Sequence, residues 1–199
     1  MFNYFIFAVL ILIALKSAAQ DEIEFQPGSL FSELKKFSDA ENPKLSEIGY
    51  KSEFPASTDL QGKYFSLRYD KGKSPIKFIY VGRINSCRVG GCSSLKDAMQ
   101  SREHEYFDYF ILTDSVPTVV QVKVYNYMAT HGQEVTAKGW LKQFVGYDGG
   151  RDLQVGKDVD GISGATISVY GITLDIQQKI YDFRQILYKP QNLSEKVTQ

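Results

Sequence analysis

The sequence predicts an α+β domain, an antiparallel β-sheet with flanking helices and a long helix near its C-terminal end. Two patterns carry that reading. Runs rich in β-branched and aromatic residues recur between residues 64 and 127 without the regular strand–helix alternation of a parallel sheet. Beyond them, Val169, Ile172, Ile176, Ile180, Phe183 and Leu187 are spaced 3, 4, 4, 3 and 4 residues apart, one face of a long helix that Pro190 ends. The chain has 199 residues, 43% of them hydrophobic, which is enough to bury a core in one domain with a short extension.

In order along the chain, residues 5–15 form an uninterrupted apolar run, and Lys16-Ser17-Ala18-Ala19 sets small residues at the −3 and −1 positions of a cut before Gln20. Residues 1–19 read as a secretory signal peptide cleaved there, although no Lys or Arg precedes the run. The alternative is an uncleaved anchor, for which the stretch is short against the roughly 20 apolar residues of a full span. Either reading locates the protein outside the cytoplasm, periplasmic or membrane-associated. Residues 20–57, punctuated by Pro27, Pro43 and Pro55, read as an N-terminal extension. One short helix is expected within it, opened by Ser29 and presenting Leu30, Leu34 and Phe37 on one face.

Strands are expected at Tyr64–Tyr69, Ile76–Val81, Tyr106–Leu112 and Thr118–Tyr127, the last two joined into a hairpin by the turn residues Thr113–Pro117. Alternation in the last strand sets Val120, Val122 and Val124 on one face and Gln121, Lys123 and Tyr125 on the other. Val135–Phe144 has helical spacing, with Ala137, Leu141 and Phe144 on one stripe and Trp140 beside it. Residues 58–189 form the domain on this reading, and residues 190–199 a tail.

Charge and metal-ligand counts weigh against two classes of function. With 23 basic and 23 acidic side chains the formal net charge is zero, so nothing advertises nucleic acid as a partner. Two His and two Cys, with no HExxH and no paired CxxC spacing, are too few for a self-sufficient zinc site unless carboxylates join them. Cys87 and Cys92 flank a short stretch that contains Gly90-Gly91, so the loop between them can close on itself. In an oxidising compartment a structural disulfide is the default. A reducible, redox-active bridge is the alternative, followed by free thiols or a bound metal.

The segment that carries chemistry is Asp160-Gly161-Ile162-Ser163-Gly164-Ala165-Thr166, directly ahead of the long helix. A helix start has N–H groups without intrahelical partners and partial positive charge, so a phosphate is favoured there. Gly164 and Ala165 let the backbone approach closely. The plain alternative is that Ser163 or Thr166 caps the helix.

Asp160–Thr166 resembles the flavinylation motif of the FMN-binding domain family, found in the C subunit of sodium-pumping NADH:quinone reductase and the G subunit of the Rnf complex. The resemblance implies FMN as cofactor, held through a phosphoester on Thr166, with Asp160 part of the pattern read by an extracytoplasmic flavin transferase. Trp140-Leu141-Lys142-Gln143-Phe144 followed by Gly146 is similar to the family's W-L-x-Q-F-x-G element. Thr130-His131-Gly132 stands where the family usually has T-P-G, so His131 is a departure. The likeness is strongest over residues 106–188. Trp140, Tyr170 and the Thr130–Gly132 turn are candidate contacts for the flavin ring, each equally readable as core or loop. His131 reads either as a residue that tunes the flavin potential or as a solvated loop histidine. Asp175, Gln177 and Gln178 carry no assignable role.

The function so implied is an exported electron carrier or oxidoreductase subunit rather than a stand-alone enzyme, since the flavin supplies the redox chemistry. Its expected partners are the flavin transferase and a membrane or periplasmic redox protein. Two alternatives from other classes stand beside it: an exported module without flavin, and a thiol–disulfide redox protein built on Cys87 and Cys92.

Overall fold

The computed structural model describes residues 22–38, 41–50, 62–86 and 105–188. The elements in order are α1 (Gly28–Leu34), β1 (Glu41–Ile48), β2 (Gly62–Lys71), β3 (Phe78–Ser86), β4 (Glu105–Thr113), β5 (Val119–Tyr127), α2 (Lys138–Leu141) and α3 (Thr166–Tyr188). The signal-peptide region, Cys87 and Cys92, and residues 189–199 lie outside the described residues.

The five strands lie in the order β1-β2-β3-β4-β5, each antiparallel to the next. With helices on both faces of this sheet, the fold is α+β, as the sequence predicts. Side chains alternate across a strand, so the sheet has two apolar faces. On one, Tyr80, Ile84, Phe107, Tyr109 and Ile111 meet Val169, Ile172, Ile176, Ile180 and Phe183 of α3. All five of these helix residues have 0% exposure, while Leu187 at the helix end is half-buried. On the other face, Ile79, Val81, Phe110 and Leu112 meet Leu30 and Leu34 of α1.

Four details differ from the sequence reading. Residues 20–57 contribute α1 and β1 to this sheet and its core. β1 carries Pro43, which an edge strand tolerates because one side of its backbone needs no partner. Ser29 does not open α1: Pro27 holds the capping position, the helix starts at Gly28, and the Ser29 hydroxyl is buried inside it without a partner.

Val120 does not share a face with Val122 and Val124. Leu112 pairs with Gln121 but Thr113 pairs with Val119, so Val120 is the extra residue of a β-bulge and turns toward the α1 face. The stretch 135–144 is not one helix. Ala137 is extended (ψ 123) and exposed, and it separates a 3₁₀ turn at Gln133–Thr136 from α2, which runs into a second 3₁₀ turn at Lys142–Phe144. Leu141 and Phe144 are buried as expected and anchor this broken segment on the core.

Candidate functional site

The site is built around the first turn of α3. Gly164 adopts the left-handed conformation (φ +81), which only glycine takes without strain, and open space lies where a Cβ would stand. The Ala165 N–H donates to the Ile162 carbonyl (3.1 Å), and the Val169 N–H donates to the Ala165 carbonyl (2.9 Å) as the first bond into the helix. The N–H groups of Thr166, Ile167 and Ser168 therefore have no backbone partner among the described residues. Ala165, which has no capping side chain, holds the capping position, so the helix-cap reading of Ser163 and Thr166 does not describe this helix start.

Ser163, Gly164 and Thr166 are exposed, and Ala165 is buried beneath them. The first turn contains no acidic residue to offset the partial positive charge of the helix end. One turn on, Tyr170 lies on the side of α3 that Thr166 occupies and is 42% exposed. The arrangement fits a phosphate ester at Thr166: an accessible hydroxyl, a backbone with no Cβ in the way, and N–H groups able to accept an anion.

Two other segments hold this start in place. From the 138–144 segment, the Trp140 indole N–H donates to the Asp160 carbonyl (2.9 Å), and the Asp160 N–H donates to Gln143 Oε1 (2.8 Å). The two similar stretches of sequence thus form one clasp, which fixes the Asp160 backbone and leaves its carboxylate exposed. Trp140 also packs edge-on against Phe144, with ring centroids 5.5 Å apart.

The turn after β5 forms the second support. Gly132 is left-handed (φ +86), and a Cβ there would meet Ser168 Oγ at 3.0 Å, the Ala165 Cβ at 3.2 Å and Tyr127 Oη at 3.2 Å. The Thr130–Gly132 turn therefore lies directly against the start of α3. The Tyr127 hydroxyl donates to the His131 carbonyl (2.5 Å), and Ser86 Oγ at the end of β3 is 2.7 Å from Ser168 Oγ. Burial pushes the Tyr127 hydroxyl above its ordinary pKa, with the Ser168 contact opposing the shift.

The loop that leads into the motif is tied to the middle of α3, where the Leu153 N–H donates to Gln177 Oε1 (2.8 Å). Within that loop Arg151 pairs with Asp158.

The structure therefore gathers Asp160 with Trp140, and Ala165 with the His131–Gly132 turn, around the exposed Thr166. The positions of Cys87 and Cys92 are outside the described residues. The roles of Ser86, Ser168 and Gln177 have no signature in the sequence, because each is an ordinary polar residue until its distant partner is known, whereas Gln143 stands in the W-L-x-Q-F-x-G-like element. Asp175, equally silent in the sequence, is buried and accepts from the Tyr109 hydroxyl.

Residues 108–180, from β4 through most of α3, match the family model of the FMN-binding domain. The chain carries an FMN-binding domain. No curated protein matches the chain. FMN is accordingly the cofactor, and flavin binding in the service of electron transfer is the coarse function of the domain. The matched span contains the clasp, the Thr130–Gly132 turn and Thr166. β1, β2, β3 and α1 lie outside it.

Proposed function

We propose that Thr166 carries FMN through a phosphoester bond and that the mature protein is an exported flavoprotein that shuttles electrons. The observation that carries this reading is the exposed Thr166 hydroxyl at the first position of α3, beside N–H groups without backbone partners and the open Gly164. A phosphodiester keeps about one negative charge, and at a helix start it gains on the order of 0.3–1 kcal/mol from the dipole.

Threonine is a poor nucleophile without an activating base. The ester is therefore made by a flavin transferase, which reads the motif beginning at the exposed Asp160. Trp140 and Gln143 hold that motif in one conformation for recognition. The bound flavin supplies one- or two-electron chemistry, and the chain supplies an anchor, a supporting turn and a docking face for a membrane or periplasmic redox partner. Cleavage of residues 1–19 before Gln20 completes maturation.

The test is the intact mass of protein purified from an exporting host that contains flavin transferase. The expected increase is one FMN less one water, mapped to the peptide containing Thr166 and absent from Thr166→Ala, which stays folded. Covalent flavin in Thr166→Ala, or its absence from the wild-type protein in that host, overturns the reading. Asp160→Ala is expected to fold and to remain unmodified.

A second reading gives Cys87 and Cys92 a redox role with the flavin. Ser86, which precedes Cys87 in the chain, contacts Ser168 two residues from Thr166. Under this reading Cys87→Ser blocks reoxidation of the reduced flavin. Loss of thermal stability alone assigns the pair to structure.

A further inference from the structure

We propose that Glu105, Thr130 and His131 form a hydrogen-bond relay that fixes the proton of His131 on Nδ1 and presents Nε2 as an acceptor to an N–H of the flavin ring. The contact with the ring rests on the reading that Thr166 carries FMN.

The relay follows from counting protons. At the start of β4, Glu105 accepts two bonds from Thr130: the backbone N–H at 3.0 Å on Oε2 and the hydroxyl at 2.7 Å on Oε1. A hydroxyl has one proton, and an ionised carboxylate can only accept, so that proton belongs to the Glu105 bond. Thr130 Oγ1 also lies 2.9 Å from His131 Nδ1, and it has only lone pairs left to offer there. Nδ1 must therefore be the donor. The neutral imidazole is held as the Nδ1–H tautomer, with its lone pair on Nε2.

The histidine is held in place as well as protonated at one defined atom. Tyr127 donates to its carbonyl, and the following Gly132 abuts Ala165 and Ser168. The exposed imidazole thus belongs to a turn whose next residue, Gly132, is seated on Ala165 and Ser168 at the start of α3. A flavin ring offers one N–H donor in its oxidised form, at N3, and an Nε2 lone pair is the matching acceptor. Proline, which the resembling family usually has in this turn, offers none. Thr130 and Glu105 are positioning residues that act through His131.

The first test uses the ring nitrogens of ¹⁵N-labelled protein without flavin, at alkaline pH. The chain has two histidines, and His131→Gln assigns the signals. The expected pattern for His131 is a protonated Nδ1 and a bare Nε2. In Thr130→Val, and independently in Glu105→Gln, that pattern gives way to the mixture of tautomers seen for a free imidazole. A protonated Nε2 in the wild-type protein overturns the relay.

The second test is the midpoint potential of the flavinylated protein by dye-coupled titration. Thr130→Val and His131→Phe are each expected to raise it, by similar amounts, because an acceptor on N3–H disfavours added electron density in the ring. Flavin present with an unchanged potential in both variants overturns the contact alone. Absence of flavin from the wild-type protein overturns the Thr166 reading and the contact together, while the tautomer result stands by itself.

Discussion

The two faces of the sheet both bury carboxylates, and they do so by opposite means. On the α1 side, Glu33 accepts from Lys36 and Lys123, each at 2.8 Å. Nearby, Asp108 accepts from Arg83 at 2.7 and 3.1 Å and from Asn126 at 2.8 Å. On the α3 side the partners are mainly phenols: Tyr109 bonds Asp175, and Tyr64 bonds Asp182 at 2.5 Å. Lys179 stands 3.3 Å from Asp175, close enough for attraction, yet that oxygen has no aligned hydrogen bond.

The consequences for ionisation differ in sign. Burial alone would raise the Glu33 carboxyl, but hydrogen bonds from Lys123, Lys36 and Gln121 and the charge of Lys123 overcome it and hold the pKa down to about 2. Burial pushes the Asp175 carboxyl up, and Lys179 and Tyr109 offset only part of that rise. A phenol supplies a proton without a charge, so it satisfies an oxygen while leaving the cost of a buried anion in place. The face that carries the cofactor motif is thus the face with the less compensated acid.

The largest test of this contrast is Asp182→Ala. It removes the acceptor of Tyr64, of Gln178 at 3.0 Å and of Tyr50 at 3.5 Å, all next to the buried seam of α3. The expected loss is about 3 kcal/mol in urea denaturation. Lys36→Ala, on the other face, is expected to cost no more than about 0.5 kcal/mol because Lys123 still holds Glu33. Equal losses from the two substitutions would erase the distinction between the faces.

Glu33→Gln comes next. A folded pKa below the ordinary 4.5 means that the stability from Glu33 is full above that value and is lost as the pH falls toward about 2. The variant is expected to lose on the order of 1–3 kcal/mol at neutral pH and to converge with wild type in acid. Asp175→Asn has the opposite slope. A folded pKa above 3.8 contributes stability that is present below that value and lost as the pH rises through the folded pKa. The Asn variant should therefore gain on wild type as the pH rises from acid to neutral. Parallel pH profiles for the two variants would break the comparison.

Much of the fold was legible because period and turn chemistry are local. The five residues Val169, Ile172, Ile176, Ile180 and Phe183 identify α3, and Thr113–Pro117 marks the β4–β5 hairpin before any contact is known. What stayed hidden was set by partners far along the chain. β1 looks like an extension until its pairing with β2 is seen, and Val120 looks inward-facing until the bulge shifts it.

The candidate site divides the same way. Asp160–Thr166 and Trp140–Phe144 can be picked out as separate motifs, but their union through the Asp160 backbone depends on how the chain returns over twenty residues. Glu105 sits at the end of a charged run that reads as solvated surface, and its bonds to Thr130 become visible only when β4 and the turn after β5 are adjacent.

The meander also has a meaning in time. Among the described residues each strand pairs only with its neighbours in sequence, so a chain that emerges N-terminus first can add these strands as they appear, without waiting for distant segments. Of the described elements, α3, which covers one face of the sheet, arrives last. Its opening turn takes up its position against Gly132 and the Asp160 clasp only once the sheet is there to receive it. A transferase that requires that geometry would act after the rest of the domain is assembled, and the yellow colour of the product would count finished molecules.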